Sequence, residues 1–266
     1  MIAALTAEWR KLVTTRMWWI IALVMVAYLL FVTAVLAFSI AAPSGEQAAA
    51  LPSGVEAASM VYSAANPIGY VFPLLIGSMV FTTEFRHQSV TASLLVEPRR
   101  GLLLGAKLVT GATLGLVYGV IAAASVVLAG APVLTIIGDG AFLTDGAVWE
   151  VLLWSVVVFG GWSAIGVAFG GLVTNQVAAI VVILAFTQFV EPVARMVGSS
   201  IDALSGVAQF LPGAAADAVI GTSFFSSFGG GGGDLLPRWG GLLMLLAFVA
   251  LFALLARVVT LRKDIA

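Results

Sequence analysis

Between Met17 and Pro43 the chain carries no charged residue, and apolar runs of similar kind return five more times before Ala266. A helix needs about 20 apolar residues to cross the hydrocarbon of a bilayer. Lipid offers no partners to a bare backbone, so each crossing must be a complete helix. The runs predict spans at about 18–41, 67–83 (with an earlier start near Met60 left open), 108–131, 148–173, 177–193 and 239–259. Hydrophobic residues make up 61% of the chain and charged ones 9%, against roughly 25% charged in a soluble domain. The fold class is therefore an all-α membrane protein, one transmembrane domain over residues 1–266.

The same composition excludes several chemistries. A net charge of -1 gives no basic field for nucleic acid. Without cysteine there is no disulfide, thiolate metal site or cysteine nucleophile, and a single histidine, His87, rules out a histidine metal cluster. Ala41-Ala42-Pro43 loosely resembles a signal-peptide cleavage site. The apolar run before it is longer than the 7–15 residues or so of a signal peptide, so it is read as a retained span.

Orientation follows from lysine and arginine. Ten of the twelve basic residues fall before the first span, between spans two and three, or after the last, while the other side holds Arg195 and Arg238 with nine acids. Both termini are expected in the cytoplasm, and abundant Ala, Gly and Val with scarce Lys suggest a bacterial cell and its cytoplasmic membrane as the setting. Outer loops are expected at 43–66 and 132–147, a tight inner turn at Thr174-Asn175-Gln176, and an outer segment over 196–238. In that segment Leu211-Pro212-Gly213 and Ala214 to Ile220 predict a short helix dipping into the outer leaflet. Phe224, Phe225 and Phe228 suit the membrane interface. Gly229 to Gly233 reads as a linker.

Residues 1–16 form a further element. Ile2, Leu5, Trp9, Leu12 and Val13 share one stripe at helical spacing, with Arg10, Lys11 and Thr14 opposite. The pattern predicts an amphipathic helix along the inner membrane face, in contact with lipid and anchored by Trp9.

Candidate chemistry is sparse. A phosphate loop needs Gly-Lys-Ser/Thr, and none of Lys11, Lys107 and Lys263 follows a glycine. An ion-coupled carrier places acids within its spans. Only Glu191 qualifies, and Arg195 four residues on predicts a local ion pair. Gly111, Gly115 and Gly119 in span three, and Gly166 and Gly170 in span four, mark close helix contacts, either within one subunit or at a dimer seam. Tyr70, Phe72, Ser78, Phe81 and Thr82 in span two, with Phe186, Thr187 and Gln188 in span five, are candidate substrate-pathway residues or ordinary packing.

The most informative stretch is the charged loop over 84–107. It holds Glu84-Phe85-Arg86, Ser89-Val90-Thr91, Leu94-Leu95, Pro98-Arg99-Arg100 and Lys107. Val90 and Leu94, one turn apart, suit an apolar groove on a partner, while Arg86, Arg99 and Arg100 suit partner acids or lipid phosphates. Together with six spans, both ends inside and a Leu-Pro helix before the last span, this loop resembles the ATP-binding-cassette type-2 permease family, the membrane halves of bacterial exporters. His87-Gln88 departs from the glycine found nearby in many relatives.

The resemblance implies that the loop forms a coupling helix docking on a separate cytoplasmic ATPase. Glu84, Phe85, Arg86, Ser89, Val90, Thr91, Leu94, Pro98, Arg99 and Arg100 would be the coupling residues. ATP and Mg would bind the partner and no cofactor this chain, which would not be an enzyme itself. A second permease chain, identical or related, would complete the transporter. Spans two and five would line a path for a drug, lipid or other amphipathic substrate. A secondary carrier or channel is the alternative.

Overall fold

The computed structural model describes residues 2–42, 52–89, 99–200, 206–223 and 235–260. It is 86% helical, with no strand among the described residues. The helices are α1 (Ile2–Thr14), α2 (Met17–Ala41), α3 (Gly54–Ser63), α4 (Ala65–Gly69), α5 (Val71–Arg86), α6 (Arg100–Ile136), α7 (Gly146–Leu172), α8 (Gln176–Ala185), α9 (Glu191–Ser200), α10 (Pro212–Ile220) and α11 (Arg238–Leu255). Six helical runs are long and apolar enough to cross a membrane: Met17–Ala41, Gly54–Arg86, Arg100–Ile136, Gly146–Leu172, Gln176–Gly198 and Arg238–Thr260. A π-helical turn, Phe186–Val190, joins α8 to α9 within the fifth, and another, Ala256–Thr260, ends the sixth.

The fourth span is the hub, packed along α5, α6, α11, α10 and α3. Its glycines explain how. A side chain on Gly166 would begin 2.2 Å from the Leu74 carbonyl oxygen, and one on Gly170 2.2 Å from that of Ser78. Backbone therefore meets backbone between α7 and α5. The Gly111, Gly115 and Gly119 step also faces α7 closely, Gly111 against the Val167 side chain, and Gly115 and Gly119 against the backbone of Phe159 and Val156. Both glycine steps thus serve packing within this chain. The outcome is a graded bundle. The second and fourth spans are 78% and 72% buried, whereas the fifth and sixth are 22% and 11% buried.

One end of the bundle gathers α1, the end of α5, the start of α6 and the end of the sixth span, and is called here the basic end. The other, the far end, holds α3, α10 and the turn between α6 and α7.

Local chemistry sets several boundaries. Asn175 caps α8 by accepting from the amides of Val177 (2.9 Å) and Ala178 (3.1 Å). Asp145 caps α7 through Ala147. Pro212 opens α10, where a missing N–H costs nothing. Gly221, at φ +89°, closes it in the left-handed conformation. The predicted Leu-Pro helix is therefore present, and all nine of its residues are buried.

Three expectations are corrected. The expected 43–66 outer loop contains α3, which starts at Gly54 and runs nearly continuously into the second span; its Ala57 to Ser63 are buried. The third span starts at Arg100, before the apolar run at Leu108, and continues through Pro132 to Ile136, because flanking charges at a helix end need not interrupt it. The fifth continues past Met196 to Gly198, and its last helix to Ser200.

Candidate functional site

At the basic end the last turn of α5 carries Glu84-Phe85-Arg86. Glu84 is buried, and so are Lys107 on α6, with no exposed surface, and Glu8 on α1. The Lys107 Nζ donates to Glu8 Oε2 at 2.6 Å and lies 2.8 Å from Glu84 Oε1. The Lys11 Nζ reaches Glu8 Oε1 and Glu84 Oε1, each at 2.8 Å. Two ammonium groups and two carboxylates close a neutral cluster that ties α1 to spans two and three. The ring of Phe81 lies 5.0 Å below Lys107, adding a cation–π contact. Lys11 is exposed over 46% of its side chain. Burial would lower its pKa, but its hydrogen bonds to Glu8 and Glu84 outweigh that and raise it above the usual lysine value.

This cluster revises the reading of α1. The helix Ile2–Thr14 is present, but its most buried described side chain is the carboxylate of Glu8, while Trp9 and Val13 of the expected stripe are 40% and 48% exposed. Leu5 and Leu12 are half-buried between these faces. The sequence held two signals for this: an acid between Leu5 and Leu12 on the stripe side of the helix, and a lone lysine, Lys107, beside an apolar run.

Beyond Glu84 the chain leaves α5 through Gln88, whose φ of +52° is left-handed. The Ser89 amide donates back to the Glu84 carbonyl at 3.0 Å. Phe85 stacks on Phe81 with ring centres 6.3 Å apart. Arg86 donates to Gln176 Oε1 at 3.3 Å, joining the end of span two to the start of span five. Val90, Thr91, Leu94 and Pro98 lie outside the described residues. Arg99 and Arg100 stand at the start of α6 beside Arg257, apart from the Glu84 cluster.

The pathway candidates divide. Ser78, Phe81 and Thr82 have no exposed surface, and Tyr70 is buried. Phe72 is half-buried against Tyr28, Phe186 is half-buried and Gln188 is exposed. Tyr70 leads to a second polar cluster at the far end. Its hydroxyl donates to the Thr187 carbonyl (2.9 Å) and to Glu191 Oε2 (3.1 Å). The other Glu191 oxygen accepts from the Gly213 amide at the start of α10. Asn66 bridges Trp162 Nε1 (3.2 Å) and Asp217 Oδ1 (3.0 Å). Arg195 pairs with Asp217 at 2.5 Å and donates to Ser223 at 3.2 Å. The expected Glu191–Arg195 pair is thus replaced. Each side chain is drawn instead to α10, which no local spacing rule could place beside them. Arg238, paired with Glu150, donates to the Val219 carbonyl at 2.9 Å and ties the sixth span to the same helix.

The sequence profile of the ABC-2 family transporter proteins matches residues 4–193. The chain belongs to the ABC-2 transporter family. No curated protein matches it. The ABC-2 profile covers α1 through the beginning of α9, so it includes all four members of the Glu8–Lys11–Glu84–Lys107 cluster. Arg195, α10 and the sixth span follow the matched region. An ABC-2 protein is a membrane transport component, generally without an ATPase site of its own, and membership implies the permease subunit of an ABC exporter. Six apolar spans agree with a multi-pass membrane protein.

Proposed function

We propose that this ABC-2 protein is the permease of an exporter driven by a separate cytoplasmic ATPase, which binds ATP and Mg, and that the stretch from Glu84 to Arg100 is where the ATPase engages. The observation that carries this reading is the buried cluster of Glu8, Lys11, Glu84 and Lys107. It lies where the chain leaves span two for that stretch. A displacement applied beyond Glu84 acts on a unit already joined to α1 and span three by charge, and to span five through Arg86 and Gln176. Buried charge pairs resist separation because each partner strands the other in low dielectric. Motion is therefore passed on rather than absorbed at the loop.

The rest of the reading follows the same direction. Both termini lie in the cytoplasm of a bacterial cell, and the basic end is the inner one, which fits the ten-to-two distribution of basic residues. A second permease chain faces the open fifth span, and Tyr70, Phe72, Phe186 and Gln188 lie along spans two and five, which border the path of an amphipathic substrate. Glu191 is held by Gly213 and Tyr70 rather than presented to a path, which favours an ATP-driven mechanism over an ion-coupled one.

Two experiments test the proposal. In this cysteine-free chain, Ser53→Cys should react with an impermeant thiol reagent in intact cells and Gln88→Cys should not; the opposite labelling inverts the orientation. Mild-detergent purification should bring down an ATPase chain, and the permease alone should hydrolyse no ATP. Turnover by the permease alone would overturn the assignment.

A further inference from the structure

The fifth span is not one continuous α-helix. Pro192 stands inside the helical run Gln176–Gly198, where it offers no N–H and its ring crowds the carbonyl one turn back. The chain accommodates it with the π-helical turn Phe186–Val190, in which the Glu191 amide donates to the Phe186 carbonyl, five residues back. In that register the donor for the Thr187 carbonyl would be the amide of residue 192, which proline lacks. In hydrocarbon such a carbonyl must find its partner on a neighbouring helix. That partner is Tyr70 of span two, whose hydroxyl donates to the Thr187 carbonyl at 2.9 Å. Tyr70, Thr187 and Glu191 are all buried.

We propose that this break is a joint and that Tyr70 is its positioning residue: by filling the bond that Pro192 leaves open, its hydroxyl sets the angle between the inner half of span five, α8, and the outer half, α9. The joint needs only the membrane-spanning fold, and its use in export rests on the ATP-driven reading above. The two halves are fastened to different bodies. Helix α8 packs along α5 and is joined at its start to Arg86 through Gln176. Helix α9 is fastened to α10, with Glu191 accepting from the Gly213 amide and Arg195 paired with Asp217.

The helix is also soft at the break. Thr187 turns its hydroxyl back to the Ile183 carbonyl at 2.8 Å, a bond that bends helices, and prolines and π turns are the usual seats of kinks. A cavity of about 20 Å³ borders Tyr70, Thr187, Glu191 and Pro192, so the close packing that holds a core to one arrangement is relaxed at this point. On either side of it span five is largely uncovered, with Val181 58% and Val193 52% exposed. The outer half of span five and α10 therefore turn as one piece. Span two, whose other end leads into the coupling stretch, reaches that piece through one hydroxyl.

The test uses the full permease chain alone in nanodiscs, so failure to find an ATPase would overturn the ATP-driven reading and leave the joint standing. The chain has no cysteine, so Val177→Cys and Met196→Cys, both at exposed positions, take spin labels on the two halves. Pulsed electron paramagnetic resonance reads the distance between them. An unbroken helix would set these positions about 28 Å apart, and the joint should give a shorter main distance. Tyr70→Phe should raise the population of a second distance about two- to tenfold, the worth of one hydrogen bond. Pro192→Ala returns the backbone donor, so the distance should lengthen, and Tyr70→Phe added to it should change the populations less than about twofold. A hydroxyl that merely stabilised the fold would not depend on Pro192 in this way. A wild-type distribution in Tyr70→Phe overturns the proposal. So does an equal effect of Tyr70→Phe with and without Pro192→Ala, which would assign the hydroxyl to Glu191, 3.1 Å away. Size exclusion checks the fold. If the double variant fails it, amide hydrogen exchange across residues 186–198 decides: faster exchange in Tyr70→Phe than in wild type supports the joint, and equal exchange overturns it.

Discussion

The bundle holds a buried polar cluster at each end, and they are built by opposite means. At the basic end, Glu8, Lys11, Glu84 and Lys107 neutralise one another almost entirely through ion pairs. At the far end, Arg195 pairs with Asp217 and not with Glu191, and the other bonds of the two acids come from a tyrosine hydroxyl, an asparagine amide, a serine hydroxyl and the Gly213 backbone amide. The first cluster fastens an amphipathic helix that has few apolar contacts of its own. The second fastens α10, which is already wholly buried. Charge pairing is placed where packing is thin, and hydrogen bonding where packing already holds the backbone. The basic-end cluster should therefore fail sharply when one charge is removed, and the far-end cluster by smaller steps.

The largest effect is expected for Lys107→Met. It strips Glu8 and Glu84 of their fully buried partner, while the exposed Lys11 remains, and removing one partner of a buried pair costs about 3–5 kcal/mol. Thermal unfolding in detergent, followed by fluorescence-detected size exclusion, should show a marked loss, with partial recovery when Glu8→Gln is added. A loss no larger than that of Tyr70→Phe would erase the contrast between the two ends.

Gly170→Ala comes next. The new methyl group would begin 2.2 Å from the Ser78 carbonyl oxygen, and overpacking of this kind costs about 1–3 kcal/mol. The same assay should place it between Lys107→Met and the far-end variants. Stability at wild-type level would mean that α5 and α7 do not meet backbone to backbone.

Tyr70→Phe removes one hydroxyl from the far-end cluster. Glu191 keeps the Gly213 amide, so the loss should be about 0.5–1.5 kcal/mol. A loss as large as that of Lys107→Met would show that the far end, too, depends on single members.

The smallest effect concerns pH. The Lys11 pKa is raised in the folded chain above its usual 10.5. Its contribution is therefore fully present below that value and is lost as pH rises through the folded pKa. The difference in unfolding temperature between wild type and Lys11→Met should be constant at neutral pH and shrink in strong alkali. A difference that vanished in mild acid instead would assign the effect to other groups.

Much of this architecture was legible in the sequence. Six spans follow from hydropathy, because lipid admits only complete helices there. The Leu211-Pro212 start of α10 follows from proline chemistry. What escaped has a common cause. Helix α3 begins with small residues and an acid, so nothing local marks Ala57 to Ser59 as buried, and the start of span two near Met60 stayed open. Glu8 and Lys107 are 99 residues apart, and Arg195 and Asp217 are 22 apart. Such pairs come together only through tertiary packing. Spacing rules see neighbours on one helix, and so point Arg195 to Glu191. The loop after span two was legible as a basic stretch, and the link of Glu84 at its start to span three through Lys107 was not.

The proposed transmission of ATPase motion through the basic-end cluster is tested most directly by charge exchange. ATP turnover should be measured in the purified complex of permease and co-purifying ATPase for Glu8→Lys, Lys107→Glu and the two together. Each single change leaves an unbalanced buried charge and should suppress both assembly and turnover, whereas the double change restores two acids and two bases and should recover most of the wild-type rate. Wild-type turnover in both single variants would show that the cluster transmits nothing.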